Sequence, residues 1–483
     1  MHTKSPVIAV FALIVPVFAG CPVMAPPEPL DLSGTLHIDP GFSGWDMMKV
    51  VALDSKGVVA GETIPVYDGT DWIWYMPVTT EEGEMGVFWV EMKESPGLPL
   101  YYNEGEEEMF ESGKTYTIHV TEKYIPVRNQ GDLALIGNDT GHLQDDNYIL
   151  IRDIRLSGEW EPLCRPGAKP FSGVFEGRGH KVSGLRLPDG GSFQYVGLFA
   201  CLDNAKINDL NLEVSNTGLE LSGASQQGLG ALAGFAVNTS ISKVVVSGPR
   251  NGLTVKKSGG GDFYIGGIAG KITGASVISQ SAALFSITVE AESSGIGYLG
   301  GISGYAEPPT AGSVSISDCY NTGAMDLSID GTGAFSGGIL GYHNAVQGDS
   351  LITQCYATGN VSASVKSTTP AGTVTAGGLV GGGGGLSGTR SCAFMTTVSA
   401  SASPVAAAVF GGGLGGLGLP PAGTASCYQL DTMTIAAPSY GVNAAGTVSR
   451  AGITEALFTA TPLNWDFSGI WVWDPQAAYP VFQ

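Results

Sequence analysis

Apolar residues recur along this chain in two rhythms, and the change of rhythm divides it. From residue 196 onward, short apolar runs alternate with glycine at a repeating interval. A pentapeptide of the form Gly-(Gly/Ala)-(Leu/Ile)-x-Gly begins at Gly230, Gly266, Gly300, Gly337, Gly377 and Gly412, with a degenerate copy at Val196; successive starts lie 34, 36, 34, 37, 40 and 35 residues apart. Alternate positions read Tyr264-Gly266-Ile268-Gly270, Tyr298-Gly300-Ile302-Gly304 and Phe335-Gly337-Ile339-Gly341, and Gly377, Leu379 and Gly381 continue the series. A period of two predicts one strand with aromatic and aliphatic side chains on one face, which turns Ser303 to the opposite face, where a charge costs much less if that face meets solvent. A second short strand follows each motif. There Ile207, Ile241, Ile278, Ile316 and Ile352 precede by three residues a column of Leu210, Val244, Ser281, Cys319 and Cys355, which Cys392 and Cys427 continue. Like residues at one register predict successive turns stacked in parallel, each strand ~4.8 Å from its counterpart.

Residues 30–127 have the other rhythm. Short β-rich runs at 34–38, 49–53, 72–78, 86–92 and 115–121 are broken by Asp-Ser-Lys-Gly, Asp-Gly-Thr and Glu-Gly-Glu turns, a spacing that predicts an antiparallel β-sandwich, Ig-like in outline. Trp72 and Trp74 share a face of their strand and are expected in its core. The fold class is therefore all-β: a sandwich over 30–127, a parallel β-solenoid of roughly 36-residue repeats over 128–450, and an aromatic segment, 451–483, with Trp465, Trp471 and Trp473. That segment is expected to cover the last open turn.

The motifs Gly-Gly-Ile-Ala-Gly, Gly-Gly-Ile-Ser-Gly, Gly-Gly-Ile-Leu-Gly and Gly-Gly-Leu-Val-Gly, with Asp318-Cys-Tyr-Asn-Thr-Gly and Gln354-Cys-Tyr-Ala-Thr-Gly downstream, resemble the bacterial GLUG repeat of surface proteins and adhesins. The segments 171–185 and 464–482 resemble those that open and close such arrays. The resemblance spans roughly residues 130 to 483; it implies a right-handed β-helix exposed at the cell surface and no catalytic residues. Copies after Gly377 are swollen with glycine and alanine, and the Val196 copy lacks its first and last glycine.

Before the sandwich, Lys4 precedes an apolar run from Pro6 to Phe18 and then Ala19-Gly20-Cys21. The run is too short for a permanent span and reads as an export signal, residues 1–21, ending in a lipobox. Cys21 is the expected lipidation site, tethering the protein to a bacterial membrane, and the Pro-rich stretch 22–29 is a stiff spacer. The expected location is the cell envelope, at the outer membrane or cell surface, with secretion as the alternative.

Charge and composition narrow the function. Lys and Arg number 23 against 44 Asp and Glu, a net charge of -21, which argues against a nucleic-acid partner. More than half of that imbalance lies in residues 30–127. The later cysteines follow the repeat rather than a disulfide framework, and no Cys-x-x-Cys or suitably spaced His accompanies them, so buried thiols are expected and no metal or cofactor. The Glu104 to Glu111 cluster reads as a solvated loop rather than a Ca²⁺ site. Gly348-Asp349-Ser350-Leu351 mimics a hydrolase nucleophile block, but no His follows His343. The stretch 391–424 lacks charge, yet its glycines and Pro420-Pro421 oppose a membrane helix. The function these features support is non-catalytic adhesion, with a host-matrix protein or glycan as ligand. The alternatives are a β-helix polysaccharide lyase or hydrolase, which needs carboxylates grouped on adjacent turns, and a passive envelope spacer.

Overall fold

The computed structural model describes residues 30–483 apart from 39–46, 55–58, 94–100, 121–122, 166–168, 192, 224, 310–312, 345–349, 367–370, 385, 390, 404–405, 416–426, 441–442, 445 and 462. The export signal, Cys21, the tether, and Gly348 and Asp349 lie outside the described residues. The described residues divide into two compact units: those of 30–38, 48–90 and 104–120, and those of 121–483 with residue 47 and 91–103.

The first unit has two four-stranded sheets. One is ordered Val66–Tyr67, Trp72–Val78, Leu30–Ile38, Thr115–Val120; the other Val59–Thr63, Met47–Asp54, Met85–Lys93, Tyr101–Met109. Alternation sends Trp74, Met76 and Val78 inward while Ile73 and Tyr75 stay exposed. Trp74 of one sheet meets Phe88 of the other at 5.0 Å between ring centroids, and Phe88 reaches Phe110 and Tyr116. Gly34 is required there, since a Cβ would lie 2.1 Å from the Tyr116 carbonyl oxygen. The expected sandwich is present with one correction: Leu30–Ile38 pairs antiparallel with Trp72–Val78 but parallel with Thr115–Val120. Trp72 is only half-buried, tilted against Tyr67.

The second unit is a parallel β-solenoid. One turn runs Phe263–Gly266 (face 1), Ala269–Thr273 (face 2), Val277–Ser279 with Ala282–Ala283 (face 3) and Ile287–Glu292 (face 4), before returning to face 1 at Ile296–Gly300. Among the described residues, faces 1, 2 and 4 hold eight, six and seven strands. Ile125–Val127 pairs in parallel with Tyr148–Leu150 and so starts face 3, inside the stretch expected to close the sandwich. The isoleucine column stands in register as expected, Ile207 on Ile241, Ile278, Ile316 and Ile352.

The glycine motif is a bend, not one strand. Gly266 ends face 1, Gly267 and Ile268 turn, and Ala269 opens face 2; the copies at Gly300, Gly337 and Gly377 do the same. A Cβ on Gly266, Gly300 or Gly337 would lie 2.0–2.1 Å from a carbonyl oxygen three residues on, and one on Gly270, Gly304, Gly341 or Gly381 2.3–2.6 Å from backbone of the facing turn. The chain folds back too tightly for any side chain. The bend also resets the alternation. Ile268, Ile302, Ile339 and Leu379 enter the main core, whereas Tyr264, Tyr298 and Phe335 fill a notch between faces 1 and 2, stacked 5.4 and 5.3 Å apart. Ser303, expected on the opposite face, is fully buried in register with Ala269 and Leu340.

Face 3 is kinked between its two segments. Asp209, Lys243, Gln280, Asp318 and Gln354 adopt left-handed φ of 51, 53, 48, 52 and 54°, a conformation that costs a non-glycine residue about 1–2 kcal/mol. At the last three kinks the next residue donates to the carbonyl two positions back: Ser281 Oγ to Ser279 (2.7 Å), Cys319 Sγ to Ser317 (3.0 Å) and Cys355 Sγ to Thr353 (3.3 Å). From Ser281 onward the column thus takes a small side chain that can donate, serine or cysteine, where the two turns before it carry Leu210 and Val244. Its membership needs one correction. Tyr356 pairs with Cys392, and Cys392 with Tyr428, so Ser391 and Cys427 continue the column while Cys392 faces outward. A slip of one residue in a period of two reverses the side chain.

The C-terminal segment is the other correction. It lies along the solenoid's flank rather than over an open turn: Trp471 packs on Tyr320 and Tyr356, Phe458 on Phe394, and Tyr356 Oη donates to the Pro480 carbonyl at 2.6 Å. This strap covers the outward column Ala282, Tyr320, Tyr356 and Cys392. Among the described residues, no helix is long and apolar enough to cross a membrane.

Candidate functional site: the charged outer flank

Face 4 shows the alternation of a one-sided strand. Leu253 and Val255, Ile287, Val289 and Ala291, and Met325, Leu327 and Ile329 turn inward; Lys256, Glu290, Glu292 and Ser328 turn outward. Register sets Glu220 on Lys256, Glu290, Ser328 and Ser364 on successive turns, with Ser258 on Glu292 beside them. The outer surface here is a cleft of about 590 Å³ whose charged lining is Glu220, Glu290, Glu292, Asp330, Lys256 and Lys366. All six are exposed, and none makes an ion pair with another described residue. Opposite charges ~4 Å apart in water attract by only ~1 kcal/mol, which ordering two long side chains offsets. Both signs of charge are left for a ligand.

Lys257, also at the cleft, plays a different part. It sits in the inward register of Leu221 and Ala291 and is buried. Its Nζ donates to the carbonyls of Gly223 at 2.8 Å, Gly260 at 3.3 Å and Ser258. Burial lowers its pKa, but three donated bonds make it a pin for the turn after face 4 rather than a free amine.

The carboxyl groups that burial raises, Asp146, Glu176 and Asp318, do not line this cleft. Among the described residues, no group of three or more His, Cys, Asp or Glu is placed to hold a metal. None of the six described cysteines is in a disulfide; burial pushes Cys164 and Cys201 up to about 12 and Cys427 to about 11, beyond the range of a reactive thiolate.

The motif residues singled out in the sequence belong to the core and its bends, and none lines the cleft. The cleft residues were legible only as unremarkable outward positions of a strand, because nothing local records that six of them converge. The tail expected to hold buried aromatics does bury Trp465 and Trp471, while Phe482 stays half-buried at the edge of a second pocket.

Fold and flank together define a parallel β-solenoid carrying an open, mixed-charge face. No protein-family model matches the chain, and no curated protein matches it. Among solved structures, a Bacteroides ovatus protein provisionally called an immunoglobulin A1 protease is similar with a TM-score of 0.42 and 17% identity, over 75% of this chain and 92% of that one. A likeness of that degree carries no argument about activity.

Proposed function

We propose that this chain is a surface lipoprotein of the GLUG-repeat kind, held to a bacterial envelope through acylated Cys21, and that its solenoid binds a host-matrix protein or glycan without transforming it. The observation that supports this reading is the flank of face 4: exposed charges of both signs, without an ion pair to another described residue, line one cleft across successive turns. Such a surface suits a polymer that contacts several turns at once, and its attraction weakens with salt. The test is an array of immobilised matrix proteins and glycans probed with the mature protein and with Glu290→Lys/Glu292→Lys. Retention that salt reduces and the double substitution abolishes is expected; equal retention by both proteins, or none by the wild type, rejects the reading. A polysaccharide lyase or hydrolase is the second reading, favoured by Glu290, Glu292 and Asp330 standing beside Lys256 in one cleft. New reducing or unsaturated chain ends after incubation with polysaccharides would establish it.

A further inference from the structure

A second concavity, about 310 Å³, opens where the strap ends against face 3. Its solenoid side presents Asp209, Lys243 and Gln280, three residues of the left-handed column on consecutive turns. The left-handed backbone lifts these side chains out of the sheet at the kink, stacked at the spacing of the turns. On the following turn Asp318 lies under the strap against Trp471, so the pocket forms where the strap stops covering the column. The strap side supplies Ile470, Phe482 and Gln483. Phe482 is fixed by Tyr320 and Trp471, each 5.0 Å away between ring centroids, and the Gln483 amide nitrogen is held by the Phe467 and Trp471 carbonyls. The side chains of Lys243 and Gln280 make no hydrogen bond or ion pair with another described residue.

We propose that this pocket binds a single neutral pyranose unit, the end residue of a glycan. The inference deepens the binding function above and rests on it in kind, but it uses a different flank. Three properties converge. The Lys243 ammonium as donor, the Asp209 carboxylate as acceptor and the Gln280 amide, which does both, match hydroxyl groups, which also do both. An apolar wall of Val245, Ile470 and Phe482 matches the C–H face of a sugar ring, the usual partner of an aromatic side chain with one wet edge. Lys243 and Asp209 cancel in charge, which favours a neutral ligand, and the volume sits at the low end of the ~300–1,000 Å³ of small-molecule sites.

Saturation-transfer NMR on the mature protein, with the methyl pyranosides of glucose, galactose, mannose and N-acetylglucosamine as probes, tests the proposal. Transfer to at least one pyranoside is expected, weakened about fivefold to tenfold by Gln280→Ala and by Lys243→Ala. Both substitutions replace side chains without hydrogen-bond or ion-pair partners among the described residues, so an unchanged unfolding midpoint is expected beside the lost signal; Phe482→Leu, which keeps the apolar contact but removes the ring, gives the same weakening by another route. Glu290→Lys/Glu292→Lys leaves the pyranoside signal intact, which separates this pocket from the flank of face 4. The proposal is overturned if no pyranoside gives transfer, if transfer persists unchanged in all three pocket variants, or if free leucine, a zwitterion with an apolar side chain, displaces the sugar.

Discussion

The outer surfaces of faces 3 and 4 belong to the same turns and obey the same alternation, yet they end differently. On face 4 the outward column reads Glu220, Lys256, Glu290, Ser328, Ser364 and stands open. On the second segment of face 3 it reads Val245, Ala282, Tyr320, Tyr356, Cys392, and the strap covers it with Trp465, Trp471 and Tyr479. An outward position on a solenoid is thus not a solvent position by default. The difference lies in what the column offers: stacked rings 5.0 Å apart, as Tyr320 and Tyr356 are, bury large apolar area only if something lies across them, whereas isolated charges lose solvation when covered.

The contrast can be broken most severely from within. Ile302 is fully buried at the bend between faces 1 and 2, in the core that the inward side chains of faces 3 and 4 share, so Ile302→Asp places an unpaired carboxylate in the core and should cost on the order of 4 kcal/mol or more. Because each turn touches only its neighbours, limited proteolysis should show new cuts near residues 266–341 while the first unit remains intact. Ser303→Asp should be nearly as damaging, since Ser303 is buried too; a Ser303→Asp protein as resistant as wild type would contradict the bend.

Cutting the strap loose has the next largest effect. Trp471 is fully buried against Tyr320, Tyr356, Trp465 and Phe482, and Trp471→Ala should remove about 3–5 kcal/mol of strap docking. Mass spectrometry of a protease digest should then find cleavage between residues 450 and 483 with the turns before it protected. Simultaneous digestion of the turns would mean that strap and solenoid unfold as one cooperative unit.

The smallest effect sharpens the boundary between covered and open columns. Asp318 lies at the strap's edge; its Oδ1 and the Trp471 Nε1 are buried outside hydrogen-bond geometry, and burial raises its pKa above the ordinary value of 3.8. A carboxyl raised by folding contributes its stability fully below its unfolded pKa and loses it as pH rises through the folded one. Asp318→Asn should therefore stabilise the protein at neutral pH and lose that advantage as pH falls towards 3.8, measured as unfolding midpoints across the acid range. A constant difference at every pH would exclude ionisation as the cause.

Much of the solenoid was legible because its signal is periodic. Five isoleucines at one register mean one stacked column, and the glycines of the motifs at Gly266, Gly300 and Gly337 recur because a Cβ there would strike backbone. The reading failed where one residue changed the phase. Ser303 was assigned to the wrong side because the chain bends between Gly300 and Ser303, and Cys392 to the wrong column because Ser391, not the cysteine, holds the register of Cys355 and Cys427. At Cys392 composition hides the phase: Ser391 accepts the Cys355 backbone N–H at 3.3 Å as Ser281 accepts that of Val244 at 3.1 Å, so serine and cysteine are equivalent there.

The sequence by itself determined the class of fold, the spacing of the turns and the side chains that stack inside them, because parallel stacking is a nearest-neighbour property written again in every repeat. Only the tertiary structure decided which outward columns are covered, since the strap and Tyr356 it binds are 124 residues apart at the Tyr356–Pro480 bond. It likewise decided that charges from Glu220 to Lys366 share one cleft. Contacts of that range depend on how the tail wraps and how faces align, and no local pattern encodes them.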